Sequence, residues 1–387
     1  MTRLTGGQAL ARALRAEGID VIFGIVGTHN VSLFDGLYDV AGLRVITTRH
    51  EQGAGFMADG YARASGRIAT CLVVPGPGVT NLMTPMGQAY LDSVPLLAVA
   101  GQNPSARLDQ RLEEFHELHR SLDVTASVTL RSTRLHSPAE APGAIRAAVQ
   151  LMRSGRPRPV FIEVPMDVAA AEQDVTALEP TEDGLARAEM DAEAIDQAAH
   201  LLGEARKPLV LAGGGVICAE AGPELRKVAA RLGAPIITTV HGRGAVPDDD
   251  PLALGDGWSR LDFFDPLLAE ADVCLAVGTS FGTVNDASRG SKLPHSLVQI
   301  DIDPTAIGRH RSAAIGIVGD AQRALDRLRS ALGTGAYREV WCDVPAWRSV
   351  KRDAISRVAE PVLRILDDLR EALPRDAIVA DDLCVAG

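Results

Sequence analysis

No two of the five cysteines (Cys71, Cys218, Cys274, Cys342 and Cys384) are spaced as Cys-x-x-Cys, and most lie inside apolar runs. The chain therefore has neither a disulfide framework nor a zinc site, and its cysteines read as buried thiols of a reducing compartment. Positive charge is not in surplus either: 39 Lys and Arg stand against 50 Asp and Glu, a net charge of −11. Phosphate contacts need clustered Lys and Arg, so nucleic acid is not an expected partner. No apolar run approaches the ~20 residues that a membrane span needs. The opening residues, Met1-Thr2-Arg3-Leu4-Thr5-Gly6-Gly7, contain no apolar stretch of the kind a signal peptide requires. No membrane is expected as a partner, and a cytoplasmic location is the default. Internal repeats and low-complexity tracts are absent too.

What is present is an ordinary globular composition, 46% hydrophobic and 23% charged over 387 residues, enough chain for two or three domains. Short apolar runs at 21–24, 45–47, 69–74, 96–100 and 160–164 read as buried strands. Amphipathic stretches at 8–17, 51–64, 80–91 and 142–152 lie between them as helices. Such alternation predicts an α/β fold, a mostly parallel sheet with helices on both faces. Residues 173–190, rich in Ala, Glu and Asp, read as a linker after a first domain at 1–172. A second alternating series fills 191–335, with strands at 209–212, 235–239, 273–277, 297–302 and 315–318 and helices at 192–202, 221–232 and 321–332. The fold class is thus two successive doubly wound parallel-sheet domains. Residues 336–360 read as a second linker, 361–373 as a helix and 377–380 as a strand, so that 361–387 form the opening of a third domain.

The run Thr48-Arg49-His50-Glu51-Gln52-Gly53-Ala54-Gly55-Phe56-Met57-Ala58-Asp59-Gly60 places a carboxylate at the first turn of a helix whose small residues admit a close neighbour. On the residues alone, Glu51 either favours the helix dipole or does acid–base work. The run closely resembles the glutamate motif of the thiamine diphosphate enzymes related to acetolactate synthase, benzaldehyde lyase and the 2-oxo acid decarboxylases. By that resemblance Glu51 hydrogen-bonds the pyrimidine ring of the cofactor. The chemistry needs such a group: a carboxylate on the ring nitrogen shifts the exocyclic amine to the imino form, which takes the weakly acidic thiazolium proton.

Further matches follow in the family's order. Phe23-Gly24-Ile25-Val26-Gly27 resembles its first loop, and Pro75-Gly76-Pro77-Gly78-Val79-Thr80-Asn81 its glycine loop. The second lacks the Gly-Lys-Ser/Thr of a P-loop. The resemblance puts Gly27, Val74, Pro77 and Asn81 along the pyrimidine pocket. His29 falls where benzaldehyde lyase-like members carry an active-site histidine; it either shuttles a proton or caps the next helix. His116 takes the place of a glutamine that faces substrate in relatives. With His119 it could form a metal pair, but the spacing is not His-Glu-x-x-His, and a three-residue interval is common on wet helix faces.

Gly255-Asp256-Gly257, followed by Asn285, mimics the family's metal motif. It is set aside because no convincing strand precedes Asp256 and a strand at 273–277 intervenes; no metal ligand is assigned to this chain. Gly213-Gly214-Gly215 resembles the family's Rossmann-like central domain, which holds FAD or ADP in some members and nothing in others. Gly278-Thr279-Ser280-Phe281-Gly282 lacks the Asp-Asp-Arg typical of acetolactate synthases, which argues against FAD.

The resemblance implies decarboxylation or carboligation of a 2-oxo acid or acyloin, with an aldehyde as the other small-molecule partner. Among subfamilies it points to decarboxylases of basic 2-oxo acids and to benzaldehyde lyase-type carboligases. It also implies a homodimer or homotetramer, and Mg2+ held by a third domain. A catalytically incomplete, nucleotide-binding regulatory remnant is the alternative. A nicotinamide-dependent oxidoreductase would need Gly-x-Gly-x-x-Gly, which the glycine triplet does not supply. Residues 1–387 alone are expected neither to hold thiamine diphosphate tightly nor to catalyse.

Overall fold

A computed structural model describes residues 1–179, 189–257, 262–282 and 293–380, in two compact units, Met1–Ala186 and Arg187–Gly387. The first contains β1 (Thr2–Thr5), α1 (Gly6–Ala16), β2 (Val21–Gly24), α2 (Val31–Tyr38), β3 (Arg44–Thr47), α3 (Glu51–Ser65), β4 (Ala69–Val73), α4 (Pro77–Asp92), β5 (Leu96–Gln102), α5 (Ser121–Ala126), β6 (Arg131–Arg134), α6 (Ala141–Ser154), β7 (Val160–Pro165), α7 (Met166–Ala170) and β8 (Glu172–Val175). Six of the strands form one parallel sheet in the order β3-β2-β4-β5-β7-β6. Strand parity divides its side chains between two cores. Ile22, Leu72, Val99 and Ile162 meet α1, α2 and α6. Phe23, Cys71, Ala98 and Phe161, in register across four strands, meet α3 and α4. With both faces covered, the central strands β2, β4, β5 and β7 are mostly apolar, which is why they read as runs. Each fully buried Leu or Met, such as Leu82 and Met86 of α4, contributes about 1.5–3 kcal/mol.

The second unit contains α8 (Ala192–Glu204), β9 (Pro208–Ala212), α9 (Gly214–Cys218), α10 (Gly222–Leu232), β10 (Ile236–Thr238), β11 (Ala253–Asp256), α11 (Asp265–Glu270), β12 (Val273–Val277), β13 (Ser296–Asp301), β14 (Ile315–Val318), α12 (Ala321–Ala331) and α13 (Val344–Ala372). Its parallel sheet runs β11-β10-β9-β12-β13-β14. One face packs on α8, α10 and α12. The other packs on α11, Phe281 and the segment leading into α13.

Three expectations are corrected. Residues 253–256 do form a strand, so Asp256 stands at the carboxyl end of β11. The expected linker at 336–360 is largely helix from Val344, started by the Asp343 side chain, which accepts from the Ala346 N–H at 3.0 Å, and by Pro345 in the first turn. That helix breaks at Ala359 (φ −145°, ψ 34°), two residues before Pro361, whose ring and missing N–H oppose a continuous helix. The strand expected at 377–380 is not formed: Ile378 is 99% exposed and no described strand lies alongside to pair with it. Asn285 and residues 381–387, the end of the expected third-domain opening, lie outside the described residues.

Candidate active site

The first sheet reverses its strand order between β2 and β4, where the chain first goes to β3 on one side and then returns to β4 on the other. At such a switch point the loops leaving the carboxyl ends diverge and leave a crevice. The loop after β2 is closed on itself: the Asn30 side chain accepts from the Gly27 N–H (2.7 Å) and donates to the Ile25 carbonyl (3.1 Å). Gly27 lies so close to Val74, just past β4, that a Cβ would come within 2.6 Å of its Cγ1. Val74 also fixes the start of α4, since a Cβ on Gly78 would meet its Cγ2 at 2.9 Å. Gly76 takes φ +57°, a glycine conformation, and Pro77 follows as the first helical residue, where its missing N–H costs nothing. Pro77 itself is exposed.

Glu51 opens α3. Its helix meets α4 at Gly55, where even a methyl group would strike Pro85 at 2.2 Å. That close approach brings Asn81, one turn before Pro85, to Glu51: its Nδ2 donates to Oε2 at 3.0 Å. Among the described residues Oε1 has no hydrogen-bond partner, and it stands 3.7 Å from where a Cβ on Gly78 would be. The site thus offers a half-buried carboxylate oxygen beside a glycine-lined floor. This open acceptor fits a protonated or N–H-bearing edge of a heteroaromatic ring such as the aminopyrimidine of thiamine diphosphate.

The two histidines meet. His29, 5% exposed, stacks on His116 with ring centroids 5.3 Å apart, and Phe115 covers His116 at 3.9 Å. His116 is held below the usual histidine range by burial and by the nearby His29, with Glu51 opposing the shift. The Nδ1 atoms of both rings are buried without a hydrogen-bond partner. His29 does not cap α2: the cap position is Asn30, and the His29 Nε2 instead lies 2.9 Å from the Asn103 Oδ1. The reading of His116 and His119 on a wet helix face is also corrected. No helix forms there, His116 has φ +62°, and His119 Nε2 meets the Arg111 guanidinium at 3.0 Å.

Beneath the pair lies a charged group that motif reading missed. Glu163 of β7 is fully buried and accepts from Arg134 Nε (2.5 Å), Ser121 Oγ (2.5 Å) and Gln102 Nε2 (3.1 Å). Arg134 also pairs with Asp109 at 2.7 Å. The only signal in the sequence was a Glu within an apolar strand, Phe161-Ile162-Glu163-Val164.

In the second unit the glycine triplet is occupied by its own fold. A Cβ on Gly213 would meet the Gly278 carbonyl oxygen at 2.2 Å, and one on Gly215 the Gly278 Cα at 2.7 Å. Close approach of two loops therefore accounts for these glycines without a phosphate. Asp256, despite its strand, is taken by Arg243 at 2.7 and 3.1 Å. Among the described residues no group of three or more His, Cys, Asp or Glu is arranged to hold a metal ion, and no helix is long and apolar enough to cross a membrane.

A parallel sheet with a carboxylate and an imidazole pair at its switch point, followed by a Rossmann-like sheet, describes a cofactor-dependent α/β enzyme architecture. Two family models match in the same order: "Thiamine pyrophosphate enzyme, N-terminal TPP binding domain" over residues 4–126 and "Thiamine pyrophosphate enzyme, central domain" over 195–328. The chain belongs to the thiamine pyrophosphate enzyme family. It is 40% identical to a protein of Pseudomonas aeruginosa named probable 2-ketoarginine decarboxylase AruI, over 98% of this chain and 68% of that one. It is 37% identical to an acetolactate synthase of Arthrospira platensis, over 84% and 57% respectively. The acetolactate synthase isozyme 2 large subunit of Escherichia coli is 33% identical, over 98% and 68%. The chain thus spans between about half and two thirds of the length of these relatives.

Proposed function

We propose that this chain forms the pyrimidine-binding part of a thiamine diphosphate-dependent active site that decarboxylates a 2-oxo acid or joins its acyl unit to a second carbonyl. The observation that carries the reading is the Asn81-oriented Glu51 carboxylate, one oxygen held and the other open, at the switch point beside the His29–His116 pair. When bound, the cofactor supplies a carbon nucleophile and an electron sink. Glu51 holds a proton between Oε1 and the ring nitrogen. Gly27, Val74, Pro77 and Asn81 shape the pocket, and His29 and His116 act on the substrate oxygen. The name of the 2-ketoarginine relative favours a basic 2-oxo acid over pyruvate. The diphosphate end requires a divalent cation with oxygen ligands, Mg2+ being the natural choice; its ligands are assigned to a further domain.

A homodimer or homotetramer is part of the same proposal. Phe56 and Met57 are 44% and 51% exposed on α3, next to Gly53 and Gly60, which face open space. A second copy covering that face would complete the cleft. A cytoplasmic location accords with the free thiols of Cys71 and Cys274, both fully buried, the latter pushed up to about 12 by burial.

Glu51→Gln tests the reading. In enzyme carrying its diphosphate-binding domain, turnover should fall at least the ~100-fold typical of lost acid–base help. Near wild-type turnover would overturn it. Calorimetry with Mg2+ and thiamine diphosphate should show tight binding only when that domain is present.

A further inference from the structure

The orientations of two side-chain amides, Gln102 and Asn103, decide which nitrogen of His29 carries its proton. The Glu163 carboxylate, paired with the Arg134 guanidinium, accepts hydrogen bonds. The NH2 of Gln102 must therefore face it, 3.1 Å from Oε2, and also reaches Ser121 Oγ at 3.3 Å. This turns Gln102 Oε1 toward the backbone N–H of Asn103, which donates to it at 2.8 Å. Asn103 is nearly fully buried, and its NH2 points at the Phe115 carbonyl at 3.4 Å. Its Oδ1 is left facing His29 Nε2 at 2.9 Å. Two acceptors do not bond, so Nε2 bears the hydrogen. In the neutral ring Nδ1 is then a bare lone pair, and it is buried without a partner among the described residues. The end of β5 fixes this geometry. Gly101 passes so close beneath His29 that a Cβ would lie 2.2 Å from its carbonyl oxygen, so the backbone that places Asn103 and the backbone that places His29 are in contact.

A buried acceptor left unmade is costly, and polar atoms orphaned in this way are expected to meet a ligand. We infer that Asn103 is a positioning residue that holds His29 in the Nε2–H form, so that Nδ1 meets the substrate as a proton acceptor. The inference rests on the proposed active site and deepens it. In the carboligation proposed above the product carries a hydroxyl; in the reverse direction its O–H bond breaks, an Nδ1–H bond forms, and the oxygen keeps the electron pair. The resulting imidazolium still donates from Nε2 to Asn103, whose neutral amide returns the proton more readily than a carboxylate would. Gln102, Glu163 and Arg134 act one step further away by fixing the backbone and amide of Asn103.

The test is nitrogen-15 NMR on the 387-residue chain with labelled histidine, the His29 signals being assigned by their absence in His29→Gln. Above the histidine titration range, wild type should show a protonated, slowly exchanging Nε2–H and an unprotonated Nδ1. Asn103→Leu should lose the slowly exchanging proton, and Asn103→Asp, which keeps an acceptor, should restore it. A proton on Nδ1 in the wild type overturns the inference whatever the variants do. So does an Nε2–H in Asn103→Leu that exchanges as slowly as in wild type. Should Asn103→Leu fail to fold, Asn103→Ala, which removes the acceptor without adding bulk, replaces it under the same criteria. No cofactor is present in these measurements. Failure of thiamine diphosphate to bind the full enzyme would sink the functional reading while leaving the His29 assignment standing, and the reverse outcome would do the opposite.

Discussion

The two units are built alike and used differently. Each is a six-stranded parallel sheet with a glycine loop at the carboxyl end of a central strand and an acidic residue close by. In the second unit the glycines of β9 and β12 fill one another's space, and Asp256 is neutralised by Arg243. In the first, close packing at Gly27, Gly55 and Gly78 stops short of Glu51, whose Oε1 is open, and two imidazole nitrogens are buried without partners. Sheet order alone does not make a site. What separates the units is unmet hydrogen-bonding capacity at the switch point, held in place by groups that are fully satisfied.

The largest expected effect follows from that last clause. Glu163 and Arg134 are 1% and 16% exposed at their side chains, whereas Asp256 and Arg243 are 12% and 51% exposed. Removing one member of a buried pair strands the other charge, at about 3–5 kcal/mol. Removing one member of an exposed pair costs about 0–1 kcal/mol. Arg134→Met should therefore cost the first unit about 3–5 kcal/mol, and Arg243→Met should be nearly silent. All three tryptophans lie beyond residue 187. In a urea titration Arg134→Met should thus shift the circular dichroism transition of the first unit and spare the tryptophan fluorescence transition. A joint shift of both would show that the units do not unfold separately.

A smaller effect separates packing from function. Gly55→Ala and Gly213→Ala each force a methyl group to within 2.2 Å of a neighbour, Pro85 Cγ and the Gly278 carbonyl oxygen respectively. Overpacking of this kind costs about 1–3 kcal/mol, so both variants should melt earlier. Only Gly55→Ala also pushes α3 from α4 and parts Glu51 from Asn81. Cofactor affinity measured by calorimetry should fall in that variant alone; equal losses in both would erase the distinction between the units.

The contrast also explains what could be read in the sequence. Central strands such as β4 and β12 are apolar on both faces and were plain as runs. Strand β6, Arg131-Ser132-Thr133-Arg134, lies at a sheet edge and carries polar side chains, so no apolar run marks it. Strand β11 was hidden by Gly255 and by the three aspartates at 248–250. Helix α13 was expected too late because its tryptophan-containing lead-in reads as irregular, although Trp341 and Trp347 in fact cover the second core. Glu51 and Asn81 were singled out through the family motif; their pairing was not, because it depends on the Gly55–Pro85 contact. His29 and Asn103 are 74 positions apart and join only through sheet order. No local pattern encodes that.

The smallest effect bears on assembly. Gly53 on α3 and Gly203 on α8 both lie in helices with open space where a side chain would go. Alanine in such a position restricts the unfolded chain and favours the helix by about 0.5–1 kcal/mol. Each substitution should thus slightly stabilise its own unit as read by denaturation at low concentration. The two should part company once concentration rises. Gly53 neighbours the exposed Phe56 and Met57, and if a second copy seats itself on that face, the added methyl group occupies space the partner needs. Gly53→Ala should then weaken self-association in light scattering while Gly203→Ala leaves it unchanged. Should Gly53→Ala stabilise the fold and leave association untouched across micromolar concentrations, the open face of α3 is not where copies meet, and the proposed dimer would have to form elsewhere.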